Sequence, residues 1–523
     1  MIKIQSAPRE ALLSDVWKVY VKQEGEKEQE VSVYTALTAD GTGNSHGFPE
    51  EFCREFDGLT YGTTVKKTYF ASFDADGEVS VRVVHCGEAG NFHIRPESCK
   101  KRFEESGNTV MFSMNPGEKL VVEAAGDIFG SLKLFGNFIF HPENRKENWM
   151  EFKPGYYTAD NCEYIRRNEH GIPVMDNIPD DTTVYLWDGA MVCAAIVLAG
   201  KHNIRICGRG VLSLLERCYG ADSDFTVQPL YGGFRYWAMS NIYIKSGCRN
   251  VEIEGILLNC EFRGIVLRNS EDIIISNVKL FAGSVNADGV NMMNVRRVKI
   301  QDCHIQSADD CIAIYTACDS IPTFADEEWR EPLSVSSDIE VCGGLMSTCA
   351  RPFMVGGHAT GNTAPRDVVE NVCIHDTEVL DIASNIYGID REKAWYWSAV
   401  FRILSQTRQL VRNITFRSIR VNWTKGYGGK PFHIEVRGNK TASYTEKGGY
   451  RIENIRFEDI HFVHCPAEMM ASAILSDAGM EALEENSGIE GVCFQDITFD
   501  ERAMEDRRED LVREGRVRQV NVN

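Results

Sequence analysis

From about residue 180 onward the chain repeats one short motif, a small polar residue followed by alternating apolar positions. It occurs as Asn203-Ile204-Arg205-Ile206, Asn250-Val251-Glu252-Ile253, Asp272-Ile273-Ile274-Ile275 and Arg297-Val298-Lys299-Ile300. It returns as Asp338-Ile339-Glu340-Val341, Asn371-Val372-Cys373-Ile374, Asn413-Ile414-Thr415-Phe416, Asn454-Ile455-Arg456-Phe457 and Gly491-Val492-Cys493-Phe494. The copies beginning at 250, 272 and 297 lie 22 and 25 residues apart, and later intervals are longer. A unit this short cannot bury its apolar face alone, so copies must stack into a continuous core. Each strand then pairs with the next about 4.8 Å away. Asn or Asp suits the turn entering each strand, because its side chain bonds nearby backbone and tolerates unusual φ. A leucine-rich repeat fits poorly, since the leucine framework and intervening helices are missing. The pattern predicts an all-β chain in which residues 181–523 form a right-handed parallel β-helix. The longer intervals imply further coils or inserted loops, and the charged run from Asp500 to Arg516 is expected to be a solvated helix over the open end.

Residues 1–150 have a different texture. Val31 to Leu37 and Val79 to Val83 alternate with strand period. Asp76-Gly77 follows Tyr69 to Phe73 and suits a tight hairpin turn, while Asn115-Pro116-Gly117 precedes Leu120-Val121-Val122. Short strands at this spacing fit an N-terminal β-sandwich-like domain. Residues 151–180, with Pro154-Gly155 and Pro173, read as a linker.

Lys and Arg number 56 against 76 Asp and Glu, giving a net charge of −20. Phosphate contacts need the opposite balance, so neither nucleic acid nor an anionic membrane is an expected partner. The 17 cysteines include no C-x-x-C pairs at zinc-site spacing, and they read as free, small hydrophobes with no metal. The first residues lack a signal-peptide apolar core, and no run of about 18 apolar residues offers a membrane span. The expected location is cytoplasmic.

One segment stands out chemically: Asn286-Ala287-Asp288-Gly289-Val290-Asn291, then Ser307-Ala308-Asp309-Asp310-Cys311-Ile312-Ala313-Ile314. Asp288 and Asp309 are 21 residues apart, close to one coil, so three carboxylates should converge on neighbouring rungs. Like charges that close push at least one pKa upward, which suits acid–base work or a cation. No phosphate-binding glycine loop, dinucleotide fingerprint or serine triad is present, and no cofactor is expected.

Over roughly residues 180–460 the chain resembles the polygalacturonases, glycoside hydrolase family 28. The family's N-T-D-G, G-D-D-C, G-H-G and R-I-K motifs correspond to Asn286-Ala287-Asp288-Gly289, Ala308-Asp309-Asp310-Cys311, Gly357-His358-Ala359 and Arg402-Ile403-Leu404. Ile206 to Leu212 is similar to the strand and turn that open the family's helix. Val184 to Ala190, with the preceding sandwich, resembles the dextranase and isopullulanase family 49.

These resemblances imply an inverting glycoside hydrolase acting on pectic or related oligosaccharides. Asp309 would be the general acid, with Asp288 and Asp310 holding and deprotonating the water; acid and base carboxyls about 6.5–9.5 Å apart leave room for it. His358 would orient Asp309, and Asn286 and Arg402 would bind substrate. Tyr387, Trp395 and Trp397, with Tyr396 and Tyr427, lie near Arg402 in sequence and offer flat rings for stacking on sugar faces. An insertion containing Trp329 would wall the cleft. Leu404 stands where the family has Lys, which removes a cation for a uronate carboxylate and favours a short or weakly charged substrate. A neutral α-glycan hydrolase, a β-helical lyase with Ca²⁺ on the aspartates and a non-catalytic glycan-binding helix are the alternatives.

Overall fold

In a computed structural model of the chain, the described residues are 1–39, 65–87, 90–141, 146–168, 171–214, 240–260, 263–283, 287–316, 335–357, 367–382, 399–406, 409–423, 429–437, 451–466, 469–476 and 487–523. Two stacked sheets form the N-terminal sandwich. One contains Ile2–Lys3, Tyr34–Ala39, Val65–Ala75, His93–Arg95, Lys119–Glu123 and Leu132–Phe138. The other runs Gln29–Val31, Trp17–Lys22, Val79–His85, Thr109–Met114, Phe103–Ser106. Alternation points Trp17, Val19, Val81 and Val83 of one sheet at Phe73, Leu120 and Leu134 of the other.

Asp76-Gly77 does not close a hairpin. It carries the chain from one sheet to the other, because Ile2 already occupies the edge beside Ala75. Asn115-Pro116-Gly117 makes the same kind of crossing.

The second unit is a right-handed parallel β-helix, a 30-stranded sheet among the described residues. Its strands begin at Asn148–Phe152, which pairs in parallel with Thr182–Leu186. Gly155–Tyr157, Arg166–Arg167 and Pro173–Met175 also join it, so the segment expected to be a linker carries rungs of the helix.

The coils wind through three faces. Face one holds the repeated motif and stacks Val184, Ile206, Ile253, Ile275, Ile300, Val341, Ile374, Phe416, Phe457, Phe494 and Val522 in one inward ladder. Face two contains Ala190–Cys193, Val211–Ser213, Leu257–Cys260, Lys279–Ala282, His304–Ser307 and Leu345–Thr348. Face three contains Ser240–Lys245, the first half of Arg263–Ser276, the first half of Val290–Gln301, Ile312–Tyr315, Phe353–Gly356, Ala399–Gln406 and Lys430–Arg437.

The residue that opens each repeat has positive φ: Asn203, Asn250, Asp272, Arg297, Asp338, Asn371, Asn413, Asn454 and Gly491 all lie between 53° and 75°. Left-handed backbone costs an ordinary L residue about 1–2 kcal/mol and is cheapest for Gly and Asn. The corner therefore selects these residues, and their side chains bond one another up the stack. Asn371 donates to Asp338 at 3.0 Å, Asn413 to Asn371 at 3.1 Å and Asn454 to Asn413 at 2.8 Å.

The long intervals are insertions, since Ile204 pairs directly with Val251, Val298 with Ile339 and Ile414 with Ile455. At the C-terminus the expected solvated helix is a 3₁₀ segment, Met504–Asp510, followed by Leu511–Glu514 and Val517–Val522, which add further rungs. Stacking of Val517, Val520 and Val522 on Ile489, Val492 and Phe494, with Leu511 buried, prevails over the charges between them.

The sandwich docks on face two. Phe70 stacks on Phe281 with ring centroids 4.8 Å apart, and Ala36, Phe135, Val211 and Leu257 join the same cluster. Polar groups key the seam. Lys279 Nζ donates to Asn137 Oδ1 at 2.6 Å, Asn259 Nδ2 to the Thr35 carbonyl at 3.1 Å, and Arg209 Nε meets Asp74 at 2.7 Å.

The Asn corner makes a graded prediction. Asn413→Ala, which loses two ladder bonds and the tolerance of positive φ, should cost about 1–2 kcal/mol in denaturant melts. Asn413→Gly should cost less; an equal or larger loss for Gly would contradict the backbone explanation.

Candidate active site

The candidate chemistry sits at the turns that feed face three. Pairing of Ile265 with Val290, Val290 with Ile312 and Ile312 with Phe353 brings four preceding residues into one column: Arg263, Asp288, Asp310 and Arg351. Backbone bonds continue through the turns. Gly264 N–H donates to the Asp288 carbonyl at 2.9 Å, Gly289 N–H to Asp310 at 2.8 Å and Cys311 N–H to Arg351 at 3.0 Å. Gly289 is required by close approach, since a Cβ there would meet the Cys311 carbonyl oxygen at 2.6 Å.

Asp309 lies beside this column. Its carbonyl accepts from Ser307 Oγ at 2.8 Å and from Thr348 Oγ1, which fixes the turn. The side chains of Asp288, Asp309 and Asp310 converge so that one oxygen from each lies within 4.8 Å of the others. All three are buried, at 4 %, 4 % and 1 % exposure.

Buried like charges need partners. Arg351 supplies one guanidinium to two of them, with Nε donating to Asp310 Oδ1 at 2.5 Å and Nη2 to Asp309 Oδ1 at 3.2 Å. Tyr315 O–H donates to Asp310 Oδ2 at 2.9 Å. Asp288 accepts from Asn291 Nδ2 at 2.8 Å and from the Asp310 N–H at 3.1 Å, with Arg263 Nε 3.5 Å away.

Burial, reinforced by the Asp309 charge and opposed by Arg263, pushes the Asp288 carboxyl up to about 6. Burial also raises Asp310 well above the usual carboxylate range, although Arg351 pulls the other way. The site thus holds proton-binding carboxyls on two successive, hydrogen-bonded turns.

Of the other sequence candidates, Arg402 is fully buried on the outer side of face three and forms an ion pair with Glu435. Leu404 joins Met293, Ala313, Tyr315 and Met354 in an apolar cluster on the same side. Asn286, His358, Tyr387, Trp395 and Trp397 lie outside the described residues, as do Trp329, Tyr396 and Tyr427.

Arg351, which stacks on Asp310 and touches Asp309, was not among the sequence candidates. The signal was present: Phe353-Met354-Val355 alternates like Ile312-Ala313-Ile314, and aligning those strands puts Arg351 against Asp310. The insertion between the two rungs hides this in linear spacing.

Residues 239–326 match the model of glycosyl hydrolases family 28. A probable exopolygalacturonase B from Emericella nidulans is 23% identical over 282 residues, which is 51% of this chain and 56% of that protein. The chain thus spans just over half the length of that curated relative. Dex49A from Penicillium minioluteum is similar in structure, with a TM-score of 0.52 and 14% identity over 99% of this chain and 96% of its own. That likeness extends the shared fold to nearly the whole chain. The family match and the curated relative support the resemblance to β-helical glycoside hydrolases of the polygalacturonase type.

The raised Asp288 carboxyl has a consequence for stability. A proton held more tightly in the folded state stabilises it; that contribution is complete below about pH 4 and is lost as pH rises through about 6. Asp288→Asn, neutral at every pH, should raise stability at pH 7.5 by roughly 1–3 kcal/mol, with the gain vanishing near pH 4. Thermal melts across this range check it, and identical curves at pH 7.5 would contradict the burial argument.

Proposed function

We propose that this protein is a glycoside hydrolase that cleaves pectic or related oligosaccharides with inversion at the anomeric carbon. The observation that carries the reading is the buried cluster of Asp288, Asp309 and Asp310, drawn within 4.8 Å and ordered by arginines above and below. Asp309 donates a proton to the leaving glycosidic oxygen. Asp288 and Asp310 hold the attacking water and take its proton when ionised, which for Asp288 requires a pH above about 6. Two hydrogen bonds of about 2.8 Å at a near-tetrahedral angle span oxygens roughly 4.5 Å apart, so a cluster this tight suits one bridging water. Arg351 contacts both Asp309 and Asp310 and keeps their carboxyls in fixed relative orientation.

The arginines also favour hydrolysis over a calcium-dependent elimination. The carboxylate oxygens that a divalent cation would need already face guanidinium groups.

Substrate charge follows from the surroundings. Leu404 lies in an apolar cluster, Arg402 is tied to Glu435, and the chain carries a net charge of −20. This setting repels a long polyuronate and suits short or weakly charged glycans.

A reducing-end assay over pectic and neutral oligosaccharides tests the proposal. Turnover is expected on at least one short glycan, and Asp309→Asn should reduce kcat by roughly 10²–10⁴-fold while the fold is retained. Near-wild-type turnover in a folded Asp309→Asn variant would remove Asp309 from the acid role.

A further inference from the structure

A second cluster of donor groups lies on the outer side of face one, away from the aspartates. Strand alternation points Glu340 and Cys342 outward from Val335–Cys342, and Cys373 and His375 outward from the next rung, Val368–Ile382. Cys342 and His375 are direct cross-strand partners, and Glu340 pairs with Cys373. Rung spacing of about 4.8 Å therefore sets a thiol against an imidazole, with a carboxylate on the diagonal. One ligand atom each from Glu340, Cys342 and His375 falls within 4.8 Å of the others.

The groups around this trio orient it. His375 Nδ1 lies 2.6 Å from Asp376 Oδ2, and Nε2 lies 3.2 Å from Glu340 Oε1. An Nδ1–H donated to Asp376 leaves the Nε2 lone pair directed at Glu340 and Cys342, the carboxylate–imidazole arrangement that supports metal-bound histidines. Lys299 Nζ holds the other Glu340 oxygen, Oε2, at 3.0 Å, leaving Oε1 turned toward the ring. A thiolate, an imidazole and a carboxylate together suit a borderline cation of the zinc class rather than Ca²⁺ or Mg²⁺.

We propose that Cys342 Sγ, His375 Nε2 and Glu340 Oε1 form a divalent transition-metal site of the zinc class, with solvent in the fourth position. A thiolate and a carboxylate neutralise the ion's charge. The bound ion would clamp two successive rungs of face one and stiffen the helix away from the candidate active site. Cysteine spacing concealed the site, because its ligands come together through rung stacking and not through a C-x-x-C pair.

The test is alkylation of the metal-stripped full-length protein with and without Zn²⁺, read by mass spectrometry at individual cysteines. One equivalent of Zn²⁺ should slow modification of Cys342 at least tenfold. His375→Gln and Glu340→Gln should each largely remove that protection, with unchanged far-ultraviolet circular dichroism showing that the rungs remain. Cys342 reactivity indifferent to Zn²⁺ would overturn the proposal, as would protection that persists in both variants.

Discussion

Everything in the helical unit depends on parallel rungs stacking in register. Fixed register turns a linear spacing of about one coil into a vertical neighbour, and it does so for apolar, polar and charged positions alike. On the inward side this yields the ladder from Val184 to Val522. At the corner it yields Asn–Asn bonding along residues held at positive φ. At the turn before face three it yields Arg263, Asp288, Asp310 and Arg351 in one column. The same constraint thus builds the core and forces carboxylates together where water is scarce. Acids in that setting hold protons more tightly than they do in solution, as Asp288 and Asp310 do.

The sandwich belongs to the same logic. A β-helix face that a second domain covers cannot be judged by exposure patterns meant for solvent. Asn259 and Lys279 point outward from face two, yet both are buried and find partners on Thr35 and Asn137. Arg95 of the sandwich reaches Asp381 of the helix at 2.6 Å, and Lys119 reaches Asp302 at 2.6 Å. Hydrogen-bonded polar groups in a buried seam fix one docking geometry, because any slip leaves them unsatisfied. The fold likeness to Dex49A runs across both units.

The helix was legible because its repeat writes the backbone directly: each motif begins where φ turns positive, and Asn, Asp or Gly marks the position in every copy except the one opened by Arg297. The aspartates were legible because no insertion separates 288 from 309. Arg351 was hidden by the insertion between its rung and that of Asp310, where chain distance no longer measures spatial distance. The Asp76-Gly77 turn misled for a different reason. Turn chemistry specifies a reversal of direction but not which sheet receives the next strand, and Ile2 had claimed the adjacent edge. At the C-terminus, charge density from Asp500 to Arg516 masked Leu511–Glu514 and the adjoining Val517–Val522, two more strands that pair with the preceding coil.

If Asp288, Asp309 and Asp310 act together as proposed, one water-derived oxygen displaces the leaving sugar in a single step. Proton NMR of the anomer released from a cleaved oligosaccharide, recorded before mutarotation, tests this most directly. A fresh product of opposite anomeric configuration to the bond broken is the predicted result. A product that keeps the original configuration would mean a covalent intermediate on one aspartate and would contradict the account.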